Sequence, residues 1–199
     1  MIRGDLSNRV VHLTRGDTPE QATTSFKSIL REGALRGVNG FIRGGYNCVC
    51  FSEAPLGVIV HALGLPPEQG MRYAPFGVMV GKRWLFEQGG RPVIYQSEEE
   101  YEALPDTIRY RHVRYEPHRG IDHSWEREWR IRTDRLALDP TQTTFVVPNR
   151  KWVASFHEEH VGEVASMSGL LGIPLASSIP WHFIALEDLG VEGFAQFVL

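Results

Sequence analysis

Hydrophobic and polar positions change their spacing repeatedly along the chain, and each change marks an element. Residues 9–15, Arg-Val-Val-His-Leu-Thr-Arg, form a β-branched run that predicts a first strand with His12 and Thr14 on one face. The period then lengthens. Ala22, Phe26, Ile29 and Leu30 recur at helical spacing, with Thr18 as N-cap, Pro19 in the first turn, Gln21 completing a capping box and Gly33 as the stop. Residues 33–47 are rich in glycine, carry Arg36, Arg43 and Tyr46, and read as a long loop of the kind that is often functional.

Cys48 to Glu53 predicts a largely buried strand, and residues 56–63 a short apolar helix on which His61 reads as a packed histidine. Further strands are expected at 77–80, 92–95, 112–115, 143–147 and 183–186, with a helical turn at 82–88. A surface helix is expected from Ser97, which can cap it, to Glu102, and a longer helix from Arg150 to about Met167 through Val153, Phe156 and Val164. Short strands separated by helices, without regular βαβ spacing, predict an α+β protein with a mostly antiparallel sheet. Neither an internal repeat nor a composition shift divides the chain, so residues 1–199 are expected to form one domain.

One stretch departs from ordinary strand chemistry. At period two, residues 125–131 put Trp125, Arg127, Trp129 and Ile131 on one face and Glu126, Glu128 and Arg130 on the other. Glu and Arg are poor strand formers unless their face has a use. A solvated face carrying a cross-strand ion pair would produce the same pattern.

Composition changes this picture little. A net charge of −3 gives no overall drive toward nucleic acid or anionic membrane. Residues 109–135 hold eight arginines against five acids, which suggests a local anion-binding surface or an exposed arginine-rich face. No apolar run approaches membrane-spanning length, and Met1 to Asp5 lack a signal-peptide core, so a cytoplasmic protein without membrane contact is expected. Cys48 and Cys50 are too close along one strand to pair and read as buried thiols.

Stock motifs are missing. No phosphate-binding glycine loop, dinucleotide fingerprint or nucleophile elbow is present. His157 and His160, three apart on a helix, could face one metal ion in a hydrolase, but a third ligand is not identified and the spacing differs from that of zincins. No metal ligand is therefore assigned.

His12-Leu13-Thr14 followed by a helix ending Ile29-Leu30-Arg31-Glu32-Gly33-Ala34-Leu35 resembles the opening of DarT-type ADP-ribosyltransferases. Residues 49–56, Phe76-Gly77-Val78 with Lys82 and Trp84, residues 91–95, and Glu126-Arg127-Glu128-Trp129-Arg130 are similar to AbiGi-like abortive-infection proteins of bacterial phage defence. The matches span roughly residues 12–131 and leave the last third uncovered.

The resemblance implies a split, ADP-ribosyltransferase-like sheet holding NAD in a cleft, and transfer of ADP-ribose to a macromolecule such as DNA or RNA in a toxin or phage-defence setting. An antitoxin partner would fit that setting. It implies Glu128 as the catalytic carboxylate and Glu126 as its acceptor-side helper. It further implies His12 and Thr14 at the ribose and nicotinamide ends of NAD, Ser52 supporting the pocket, Tyr73 or Tyr95 stacking on a ring, and Arg43 pairing with the diphosphate in competition with Arg36 and Arg15. No counterpart of the acceptor-recognising loop is evident. A catalytically silent nucleotide-binding module of the same fold is the alternative from another functional class.

Overall fold

The first helix begins and ends where its signals place it. Thr18 Oγ1 accepts from the Gln21 N–H at 3.3 Å, and Gly33 closes the helix in the left-handed region at φ 56°. In the computed structural model, which describes residues 7–16, 18–40, 42–63, 73–176 and 178–190, this helix is α1, Pro19–Glu32. The side chain of His61 lies outside the described set.

The chain forms an α+β domain around a seven-stranded, mainly antiparallel sheet. In chain order its strands are β1 (Arg9–Leu13), β3 (Cys48–Ser52), β4 (Gly77–Gly81), β5 (Arg91–Pro92), β8 (Glu128–Arg132), β10 (Thr143–Val147) and β11 (His182–Ala185). In space the order is β11-β10-β4-β1-β3-β8-β5, and the β10–β11 pair alone is parallel. Two ribbons flank it: β2 (Ala34–Arg36) with β9 (Arg135–Ala137), and β6 (Ile94–Gln96) parallel to β7 (His112–Arg114). The remaining helices are α2 (Leu56–Leu63), α3 (Lys82–Glu87), α4 (Asp106–Arg109) and α5 (Arg150–Leu171).

One face of the sheet carries the main core. Val10, Val78, Val80, Val49, Phe51, Trp129, Ile131, Phe145 and Val147 pack there against α1 and α5. Phe26 of α1 is fully buried at ring-centroid distances of 5.3 Å from Phe76, 5.4 Å from Phe145 and 5.3 Å from Phe156. The other face is divided. Val11, Leu13, Ala54 and Ile59 form an apolar cluster there, while Cys50, Ser52, Glu128 and Arg130 make a polar stretch further along.

Several sequence expectations need correction. Residues 33–47 are not all loop: β2 pairs with β9, and Gly37 passes so close to Thr133 that an added Cβ would sit 1.8 Å from its carbonyl oxygen. The strand expected at 92–95 is divided, since Arg91 and Pro92 join β8 while Ile94 to Gln96 join β7. Ser97 to Glu102 is a 3₁₀ turn over Glu99–Ala103 with Tyr101 buried, and the Ser97 hydroxyl donates to Glu100 Oε2 instead of capping. The last helix runs four residues beyond Met167, to Leu171. Among the described residues no helix is long and apolar enough to cross a membrane.

Phe26 is the test of the core. Phe26→Ala removes a ring held by three others and should destabilise the protein by about 3–5 kcal/mol, read as a lower denaturation midpoint at unchanged slope in guanidinium titration.

Candidate active-site cavity

The polar face becomes a cavity because β1 and β3 separate. β1 pairs with β4 along its whole length, from Arg9–Gly81 to Leu13–Gly77, but meets β3 at the single register pair Val11–Ser52. Beyond that pair a side chain spans the gap: His12 Nδ1–H donates to the Cys50 carbonyl at 2.8 Å. Residues opposite one another in an antiparallel pair point the same way. Ser52 and Glu128 therefore share the face of Val11, and His12 lies on the opposite face against Phe51, at a centroid distance of 5.8 Å. The opening brings both into the wall of one cavity of about 660 Å³.

The central carboxylates do not share a strand. Ser124–Glu126 is a 3₁₀ turn, Arg127 sits in the left-handed region at φ 47°, and β8 begins only at Glu128. That corrects the alternation expected for 125–131. A left-handed arginine costs of order 1 kcal/mol or more, and the turn is held against it by neighbours. The Ser52 hydroxyl donates to the Glu126 carbonyl at 2.5 Å, and the Glu53 N–H donates to the Arg127 carbonyl at 3.2 Å. Trp125, expected on one face with Trp129 and Ile131, is 41 % exposed while those two are buried.

From the turn onward Glu126 and Glu128 have unlike surroundings. Glu128 receives a two-pronged contact from Arg130, Nε to Oε1 at 2.8 Å and Nη2 to Oε2 at 3.1 Å. Arg130 is buried, and its Nη1 donates to the carbonyls of Tyr110 and His112 at 2.8 and 2.9 Å. Glu126 lines the same cavity and, among the described residues, has no such two-pronged partner. Burial, and then the negative charge of Glu128, push its carboxyl above the ordinary value of 4.5.

Burial also holds the His12 imidazole below 6.5, against the opposing effect of its bond to Cys50. Donation from Nδ1 to a carbonyl leaves Nε2 of the neutral ring as an acceptor. The Cys50 thiol is pushed well above its normal range by burial and by Glu128, so it is a poor nucleophile.

The cavity wall includes His12, Thr14, Arg43, Ser52, Tyr73, Glu126 and Glu128. Thr14 is buried, and its hydroxyl donates to the Phe76 carbonyl at 3.1 Å. Arg43 is occupied: it pairs with Glu98 and Glu102 and stacks 3.8 Å from the Tyr101 ring centroid. Tyr73 is stacked by Arg15 at 4.6 Å and accepts from its Nη2 at 2.7 Å. Tyr95 stands outside the lining; its hydroxyl oxygen accepts from the Glu128 N–H at 3.1 Å.

Sequence reasoning missed several members. Arg114 lines the cavity and pairs with buried Glu116 at 2.7 Å, an interaction that holds the Glu116 carboxyl at about 2. Glu53 receives Lys82 Nζ and Trp129 Nε1, both at 2.7 Å, behind the turn. The arginine excess of 109–135 is largely spent internally. Arg109, Arg111 and Arg135 donate to carbonyls, Arg114 and Arg119 to Glu116, and Arg130 to Glu128. His157 is exposed and packs on Phe183, and among the described residues no three His, Cys, Asp or Glu side chains gather as a metal requires.

No protein-family model, curated protein or solved structure matches the chain.

Because the folded state disfavours a charged Glu126, it binds that proton more tightly than the unfolded chain does. Wild-type stability is therefore lost as pH rises from the ordinary carboxylate value of 4.5 through the higher folded value. Glu126→Gln should be more stable than wild type at pH 7. The difference should vanish once both states are protonated, in parallel denaturation curves across pH.

Proposed function

We propose that the cavity binds NAD and that the protein transfers ADP-ribose from it to a macromolecular acceptor, with DNA and RNA as candidates, in a bacterial toxin or phage-defence setting. The observation that carries this reading is the opening between β1 and β3. It joins His12 and Thr14 on one side to Glu128 and Glu126 on the other within a volume typical of small-molecule sites. An antiparallel sheet parted around a cleft is also what an ADP-ribosyltransferase-like fold calls for.

The chemistry asks different things of two carboxylates. As the bond from ribose C1′ to the nicotinamide nitrogen breaks, positive charge develops on the ribose. A fixed carboxylate accepting from a ribose hydroxyl lowers that barrier electrostatically. Glu128, oriented by Arg130, suits this task through the lone pairs that Arg130 leaves free. The acceptor atom then bonds to C1′ and gives up its proton. Glu126, whose carboxyl is biased toward holding a proton, suits the role of base. His12 Nε2 can accept from a ribose hydroxyl. Arg43 pairs with Glu98 and Glu102, Arg36 with Glu32, and Arg15 with the Tyr73 hydroxyl, so a diphosphate would draw one of these cavity-lining arginines from its present partner. Such an enzyme would work in the cytoplasm, and an antitoxin partner would fit that setting.

A silent nucleotide-binding module is favoured by one observation, that both Glu128 oxygens are already engaged by Arg130. Incubation with labelled NAD and DNA, RNA or lysate separates the two. For the enzyme, label transfers to the acceptor, and Glu128→Gln lowers the rate about 10²–10³-fold with NAD affinity nearly unchanged. NAD binding without transfer selects the module, and absence of NAD binding refutes both.

A further inference from the structure

Glu128 is held at three points, by Arg130 from within the cavity wall and by Tyr95 and Val93 from outside its lining. Arg130 grips both carboxylate oxygens at 2.8 and 3.1 Å. Tyr95, outside the cavity lining, accepts the Glu128 N–H at 3.1 Å, and the Val93 N–H donates to the Glu128 carbonyl at 3.0 Å. The arginine is itself immobilised by the carbonyls of Tyr110 and His112, two positions next to and within β7. The Tyr95 hydroxyl in turn donates to the His123 carbonyl at 3.4 Å, one residue before the turn that carries Glu126.

A buried ion pair is weak grounds for stability, because removing both charges from water offsets most of their attraction. What the fork does supply is geometry. Arg130 uses a rigid planar edge on Glu128 and its remaining nitrogen on backbone, so the carboxylate cannot rotate without breaking two charge-assisted bonds. Burial of Arg130 keeps those bonds from exchanging with water.

We infer that Arg130 and Tyr95 are positioning residues that clamp Glu128 for the transfer step, Arg130 by gripping the Glu128 carboxylate and Tyr95 by accepting the Glu128 backbone N–H at its phenol oxygen. This rests on the proposed reaction and goes beyond it, since it assigns the turnover rate to two groups that act through Glu128: Arg130, in the cavity wall beside it, and Tyr95, outside the lining. Their substitution should slow turnover while leaving NAD binding alone.

The experiment is steady-state kinetics of wild type, Tyr95→Phe, Arg130→Lys and Arg130→Gln, with NAD affinity and thermal unfolding measured on each. Tyr95→Phe keeps the ring and deletes the acceptor of one N–H; its kcat should fall about 3–10-fold, with KM for NAD within about 3-fold. Arg130→Lys keeps the charge but loses the fork, and should cost about 10–100-fold in kcat with the same small change in KM. The double variant should fall less than the product of the two, as expected for groups acting on one carboxylate.

Wild-type kcat in Tyr95→Phe would overturn the clamp and leave the proposed reaction standing. A rise in turnover in Arg130→Gln would overturn it too, since Arg130 would then be silencing Glu128. If Arg130→Lys does not fold, Tyr95→Phe decides alone. NAD binding without turnover by wild type overturns the clamp but not the cavity, and no NAD binding by wild type removes the reaction and the clamp together.

Discussion

The front of the molecule depends on β1 leaving β3 after one register pair. Strands in the interior of a sheet normally satisfy their backbone groups against both neighbours, and parting them exposes donors and acceptors that must find other partners. The solution here is a side chain. His12 supplies its Nδ1–H to the Cys50 carbonyl across the gap, while β1 stays bound to β4 and the Thr14 N–H continues that pairing to the Phe76 carbonyl. The sheet stays one unit through β4 and the single Val11–Ser52 pair, and it opens beyond that pair.

That opening explains how groups on opposite faces of a sheet come to line one volume. It also sets the electrostatics of the site. Glu53 with Lys82 is an ion pair between two segments, while Glu116 with Arg114 and Arg119 and Glu128 with Arg130 are local pairs, each within one stretch of chain. Glu126 stands apart from this scheme. It comes from a turn held by Ser52, beside an arginine forced into the left-handed region, and it meets burial and a neighbouring negative charge that His123, Arg15 and Arg130 offset only in part. Two carboxylates two residues apart in sequence therefore have different physics. One is fixed, and the other is biased toward holding a proton.

Much of the architecture was legible where local rules and burial agree. The first helix carried its cap, its stop and its apolar stripe in the sequence, and Ala22 and Phe26 are buried in the core as that stripe requires. The strands at 48–52 and 77–81 announced themselves by apolar runs, since a buried strand has little choice of residue. The ribbon of β2 with β9 was hidden because glycine-rich sequence is compatible with a loop, and a partner 100 residues away decides otherwise. The division of the 91–96 segment between β8 and β7 was hidden for the same reason, as no local signal says which neighbour a strand will choose.

At the site, sequence by itself determined which residue types meet. Glu128 and Arg130 must share a face of their strand, and Trp129 and Ile131 must take the other, because side chains alternate at period two. Tertiary structure decided what that face would do. The left-handed Arg127 took Glu126 off the strand, the packing of Arg130 against the carbonyls of Tyr110 and His112 turned it onto Glu128, and Tyr95 went behind the carboxylate instead of into the cavity. Each of these outcomes is set by hydrogen bonds between segments distant in sequence, and the spacing of residues along a strand carries no information about which distant backbone group will be there to meet them.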